Sequence, residues 1–402
     1  MLVGAVPTPF TITFEQRGIL LKLPDAALLL AYGVVLITLC AKPMVWRGLV
    51  SQSTTWLTSG ANGVWFLLPL WMLFTTVYAA EPVLALYHGL HTLLAVGCLV
   101  LILSTAHPSA LVPLLVPTIV MAVLQSLIGM GQFLAGGSIG FAFLGETLFT
   151  SDRARGLTYN PNTYGSFLVI AVYLVGLLID RYPRWSLPAL VVILLGLFTS
   201  LSRTSVAAVL IGGLTLLPNL IAMQQHRRFR PLLLLGCLVT VVGSIIIAFR
   251  TGNSSLIERL TFSFSGTLLV IQDHPLLGVG AGNLVMSIAD AVTAGRIAEA
   301  ATTAGVWLQP AHNAYLTLYA ELGLPGVLLF GLFLARLVRE FFAHLSIPQH
   351  ILRAGFIAVF CIMLLEYHFW LDAHWRLVLL WFLGLWYALP KLHPPNSAPS
   401  PL

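Results

Sequence analysis

His312 and Asn313 stand side by side, nine residues ahead of the run Gly323-Leu324-Pro325-Gly326. The pair falls where a long polar stretch meets an apolar one, which puts an ionisable imidazole at the edge of a hydrophobic helix. Histidine titrates near neutrality, so it can take a proton from a hydroxyl. The alternative is an interfacial histidine that merely caps the helix, and the pair alone leaves both open. Arginines supply complementary chemistry. Arg155 lies in Asp152-Arg153-Ala154-Arg155-Gly156, Arg203 in Ser202-Arg203-Thr204, and Arg259 in the long polar stretch. A guanidinium stays charged and presents a planar fork that matches phosphate oxygens two at a time. Pairing of Arg153 with Asp152, or of Arg259 with Glu258, is an equally good account of those positions. Arg203 has no acid near it in sequence and lies between two apolar segments, where an isolated charge is costly.

Other groups carry weaker signals. Gly278-Val279-Gly280-Ala281-Gly282 looks like a nucleotide-binding loop only superficially, since no strand–turn–helix pattern surrounds it; a tight turn fits better. His88 and His91 are one turn apart on an apolar helix, without a third ligand nearby in sequence. His368 and His374 flank Asp372 beside Trp370 and Trp375, which suits anchoring at a membrane interface. Glu321 either orients a neighbour or is solvated. The chain has no Asp-x-Asp pair and no carboxylate cluster of the kind a divalent-metal phosphoryl site wants, so no metal or other cofactor is expected.

The elements that must position these groups follow from composition. Hydrophobic residues make up 58% of the 402 and charged residues 8%, against about 25% charged in a soluble domain. Mean hydropathy is +0.93. This is an all-α, polytopic integral membrane protein. Apolar runs predict spans at 23–41, 60–80, 84–105, 111–134, 162–179, 187–201, 204–222, 231–249, 315–338, 351–371 and 375–389, with the two flanking Arg203 forming a tight hairpin. The net charge of +6 is no nucleic-acid footprint, because the basic residues are scattered at the ends of apolar runs. The cysteines Cys40, Cys98, Cys237 and Cys361 each sit inside such a run and are expected to be small buried hydrophobes.

The basic cluster His226-Arg227-Arg228-Phe229-Arg230 is expected on the cytoplasmic side. Alternation then sends Glu321, Glu366, Asp372, the loop 250–311 and the loop 135–161 to the opposite face, together with His312, Arg203, Arg155 and Arg259. Arg17 and Lys22 conflict with the rule and suggest a short extra element near the start. Helix-like patterning at 256–271 and 284–304 predicts that the long loop is folded, while the Pro- and Ser-rich tail 393–402 reads as disordered.

Taken together, His312-Asn313 with Gly323-x-x-Gly326, the upstream His274-Pro275-Leu276-Leu277-Gly278-Val279-Gly280-Ala281-Gly282-Asn283, Arg155-Gly156 before Asn160-Pro161-Asn162, and Ser202-Arg203-Thr204 resemble the O-antigen ligase and polymerase superfamily over about 150–330. The resemblance implies a single transmembrane domain over 1–392 with about 11–12 helices and one large periplasmic loop near 250–311. It also implies a multi-pass protein of the bacterial inner membrane whose site faces the periplasm. The implied reaction is inverting and metal-independent. A glycan moves from undecaprenyl pyrophosphate to lipid A–core, with membrane lipid as surroundings and no nucleic acid. His312 would be the catalytic base, and Arg259, Arg203 and Arg155 would hold the donor pyrophosphate. Asn313, Tyr315, Glu321, Gly323 and Gly326 would support them. The alternatives within the resemblance are an O-antigen polymerase, favoured by a second arginine-bearing loop, and a protein O-oligosaccharyltransferase, which usually carries extra C-terminal sequence. Outside it, a transporter would show repeat halves and mid-bilayer polar residues.

Overall fold

The structure is a computed structural model. It describes residues 11–14, 19–22, 51, 64–105, 111–136, 153–158, 160–216, 218, 264–297, 310–343 and 345–392. A chain this apolar satisfies its backbone groups within helices. Apart from an antiparallel hairpin of β1 (Thr11–Phe14) and β2 (Ile19–Lys22), every described element is helical. The helices are α1 (Val64–Phe74), α2 (Pro82–Thr105), α3 (Leu111–Leu134), α4 (Pro161–Gly176), α5 (Pro183–Thr199), α6 (Arg203–Leu214), α7 (Phe264–Asp273), α8 (Leu284–Thr293), α9 (Ala314–Phe341), α10 (Ile347–Leu365), α11 (His368–Leu371) and α12 (Ala373–Leu392). Among the described residues, α9, α10 and most of α2 and α3 are long and apolar enough to cross a membrane; α1, α4, α5, α6, α8 and α12 are shorter apolar helices. The expected spans 23–41 and 231–249, with Cys40 and Cys237, lie outside the described residues, as does the tail 393–402. Cys98 is buried and Cys361 half-buried, and neither is in a disulfide.

Two expectations need correction. The span 351–371 is not continuous, because Glu366 is extended (φ −147°, ψ 146°) and ends α10 before the short α11 begins. Nor do the segments flanking Arg203 form a tight hairpin. Helices α5 and α6 barely touch each other, and each packs on α4 instead. Helix α4 is buried on nearly every side by α3, α5, α6 and α10, as an all-round apolar helix in a bundle core should be. Small residues permit this. A Cβ on Gly165 would lie 2.6 Å from Ser205 Oγ, and one on Gly196 would lie 2.4 Å from Ser126 Oγ, so the helices meet at backbone distance. Of the long loop, the described part is folded as expected, with α7 and α8 packed on each other and on α9.

Candidate functional site

The site begins with a broken helix. Within α9, Gly323 adopts φ 60°, ψ −161°, a conformation open essentially to glycine alone. The break frees backbone groups, and the glycine-rich loop between α7 and α8 pairs with them. Leu324 N donates to Leu276 O (3.0 Å), Val279 N to Ala320 O (3.0 Å) and Gly280 N to Glu321 O (2.8 Å). Gly278, Gly280 and Gly282 all have positive φ. The run is a backbone turn between helices, as its surroundings suggested. Asn283 then ties it to the start of α2, its Oδ1 accepting from Glu81 N at 2.8 Å.

The same loop region sets His312. Ala311 N donates to the buried Thr267 Oγ1 of α7 (2.8 Å). Asn313 is the N-cap of α9, and its Oδ1 accepts from Tyr315 N (3.0 Å) and Leu316 N (2.9 Å). Its amide also donates to Leu364 O at the end of α10 (3.1 Å). The helix cap is therefore Asn313, and the imidazole of His312 is left for other work. Asn313→Ala is expected to cost about 0.5–2 kcal/mol of stability, measured as a lowered unfolding midpoint in detergent.

The imidazole faces a carboxylate. His312 Nδ1 lies 3.4 Å from Glu366 Oε2, with the two side chains only 11% and 4% exposed. The Tyr367 ring packs on it at 5.0 Å between centroids. Glu366 is itself held, because Asn162 Nδ2 donates to its Oε1 at 2.6 Å. Asn162 Oδ1 accepts from Arg153 Nη2 (2.6 Å), and Arg153 Nε donates to Ser200 O (3.0 Å). One chain of polar contacts thus joins the ends of α9, α10, α4 and α5. With Nδ1–H directed at the carboxylate, Nε2 is the nitrogen available to accept a proton.

His368 is the second histidine at Glu366, with Nδ1 3.9 Å from Oε2. Burial pushes its imidazole down to about 4, against the opposite pull of Glu366 and Asp372. The fold therefore keeps it neutral while the unfolded chain takes up a proton below about 6.5. Stability present above that value is lost as pH falls from about 6.5 towards 4. Thermal unfolding of the wild type is expected to be more acid-sensitive across that window than that of His368→Asn.

The remaining sequence candidates divide. Arg203 is the first residue of α6, behind the Ser202 N-cap, half-buried and, among the described residues, without a hydrogen-bond or ion-pair partner. A cation at the positive end of a helix opposes the dipole, so an anion there would be doubly favoured. Arg155 is half-buried, its backbone N bonded to Gln132 Oε1 (3.1 Å) beside Gly156. Arg259 lies outside the described residues. Tyr315 does not turn towards His312; its hydroxyl donates to Phe360 O (3.3 Å) and its ring meets Phe330. Glu321 is not solvated. It is buried and accepts from Trp370 Nε1 at 3.0 Å. Gly326 is tight, since a Cβ there would meet the Leu322 side chain at 2.2 Å.

Sequence inspection missed Glu366, Asn162 and Arg153 as a connected set. Arg153 looked like a partner for Asp152, and Glu366 like one more outer acid; an acid immediately after an apolar span was the available signal. It also missed Arg376 of α12. That guanidinium is buried and donates to Trp370 O, to Thr92 Oγ1 (2.9 Å) and to His88 Nδ1 (2.6 Å). His88 Nδ1 is thus taken up by an arginine. His374 Nδ1 and Asp372 Oδ1 are 2.7 Å apart, and both histidines beside Asp372 are buried rather than anchoring at the interface.

These features define a multi-pass helical membrane protein with a buried polar site at one end of its bundle. Residues 188–331 match the family model described as O-Antigen ligase, Wzy_C, a segment that contains Arg203, Arg259, His312, Gly323 and Gly326. The match supports the resemblance for the motifs within that segment and covers about a third of the chain. Arg155, Glu366 and Arg376 fall outside the matched segment. No curated protein and no solved structure matches the chain.

Proposed function

We propose that this protein is an O-antigen ligase. It transfers a glycan from undecaprenyl pyrophosphate to a hydroxyl of lipid A–core at the periplasmic face of the bacterial inner membrane. The observation that carries the proposal is the His312–Glu366 pair, which is linked through Asn162 and Arg153 to Ser200, three residues before Arg203. In a direct displacement, the acceptor oxygen attacks the anomeric carbon, and its proton passes to His312 Nε2. The bond from that carbon to the phosphate oxygen breaks, and the electron pair leaves with the pyrophosphate. Attack opposite the leaving group inverts the anomeric centre. Glu366 holds the imidazole tautomer and offsets the positive charge that His312 acquires. Negative charge grows on the leaving pyrophosphate, and fixed arginines are the groups that stabilise it; Arg203 and Arg259 take that role, with Arg155 as a third. These cations do the work a divalent metal does in other phosphate-leaving reactions.

Arg203→Lys keeps the charge but loses the fork. A charge-assisted hydrogen bond is worth about 1.5–3 kcal/mol, so the donor KM is expected to rise by roughly tenfold or more. A wild-type KM would rule out two-point phosphate binding at Arg203. The reaction class is tested by glycolipid gels of cells lacking the protein. Bare lipid A–core with glycan accumulating on the carrier supports the ligase, whereas cores capped by single repeats would identify a polymerase.

A further inference from the structure

Glu366 and Tyr367, which meet His312 from one side, lead directly into α11. That short helix is pinned from inside the bundle through Trp370. The indole Nε1–H donates to Glu321 Oε2 at 3.0 Å. The Trp370 carbonyl accepts from the Arg376 guanidinium, whose Cζ also lies over the indole ring at 5.5 Å. Arg376 is fixed in turn by Thr92 and His88 of α2. Glu321, Trp370 and Arg376 are each no more than 3% exposed. Burying such polar groups is costly, so the hydrogen bonds they do make, Trp370 to Glu321 and Arg376 to Trp370, are costly to lose.

The topology of these contacts makes a ring. Glu321 and His312 belong to one stretch of chain, with His312 just before the first turn of α9 and Glu321 within it, on the same side of the Gly323 break. Glu366 and Trp370 belong to another stretch, four residues apart. The two stretches meet at the start of α9, through Asn313–Leu364, His312–Glu366 and His312–Tyr367, and again two turns further along α9, at Glu321–Trp370. Contacts gathered at one end of a strap leave its far end free to swing, and Glu321–Trp370 is a hydrogen bond that holds that far end. We propose that Trp370, held between Glu321 and Arg376, is a positioning residue that aligns Glu366 with His312. This rests on His312 being the base, and of the residues it adds, Trp370 and Arg376 lie outside the matched family segment.

The test is a double-variant cycle on the full-length protein reconstituted in lipid, with a polyprenyl-pyrophosphate-linked glycan as donor and lipid A–core as acceptor. Trp370→Phe keeps one aromatic ring and removes the indole N–H together with the five-membered ring that carries it. It is expected to lower kcat by about tenfold or more, as misplacement by a fraction of an ångström to an ångström does, with donor KM within twofold of wild type. Glu321→Leu should do the same, and Glu321→Gln, which keeps the accepting oxygen, should recover most of that loss. In a Glu366→Gln background, Trp370→Phe should lower kcat no further, because it acts through Glu366. Additive losses, or a loss expressed in donor KM, would overturn the proposal and leave Trp370 a packing residue. If Trp370→Phe does not accumulate, the same cycle with Glu321→Leu and Glu321→Gln decides. Wild-type transfer by His312→Ala would instead sink the base assignment, which separates the two failures.

Discussion

Replacing His312 with alanine is expected to reduce glycan transfer by about 10²–10⁴-fold, the range a positioned general base contributes. The protein should still accumulate in the membrane. The imidazole caps nothing, because Asn313 supplies the N-cap oxygen of α9, and its only described polar partner is Glu366. Losing the ring leaves the Glu366 carboxylate still bonded to Asn162, so the fold is not left with an unheld buried ion. On the proposed reaction, gels of cells carrying His312→Ala should show bare lipid A–core. Glu366→Gln should give a smaller loss in the same direction, since it removes the orienting charge and leaves the base.

The largest effect on stability is expected at the crossing of the glycine loop and the broken helix. A Cβ on Gly278 would lie 2.4 Å from Glu321 O, and one on Gly323 would lie 2.4 Å from Leu276 O. Both residues have positive φ. Neither obstacle is a movable side-chain tip. Backbone must shift, and the three hydrogen bonds that join loop to helix shift with it. Valine at either position combines forbidden dihedrals with that collision, for an expected cost of at least ~3 kcal/mol. Gly331 on the same helix is the control, since a Cβ there meets nothing within 4 Å, and Gly331→Ala should be neutral or slightly stabilising. Unfolding midpoints in detergent, with protease sensitivity of the 264–297 segment, measure both.

Much of the bundle was readable from hydropathy. Segment 111–134 coincides with α3, and 84–105 with nearly all of α2, because a bilayer-length apolar run has few ways to satisfy its backbone other than as a helix. Segment 351–371 misled because hydropathy does not register Glu366 turning extended in an otherwise apolar run. The Arg203 corner misled for another reason. Sequence adjacency suggested that α5 and α6 pair, whereas Ser200, Leu201 (φ 47°) and Ser202 turn the chain so that both lie against α4. At the site, His312, Asn313 and the glycines could be found because their spacing is local. Glu366, Asn162 and Arg153 could not, since Glu366 meets the other two across some two hundred residues of chain and each has a commonplace neighbour. Arg376 was hidden among ordinary helix-end cations; only packing shows that α2 and α11 close over it.

The steady-state kinetics of purified His312→Ala beside Arg203→Ala test the central claim most directly. A base and a phosphate ligand divide the kinetic constants differently. His312→Ala is expected to lose kcat with donor KM near wild type, and Arg203→Ala to raise donor KM as well as lower kcat, since Arg203 holds the pyrophosphate both before and during bond breaking. Wild-type kcat in His312→Ala would contradict the assignment of the base and, with it, the chemistry proposed for this end of the bundle.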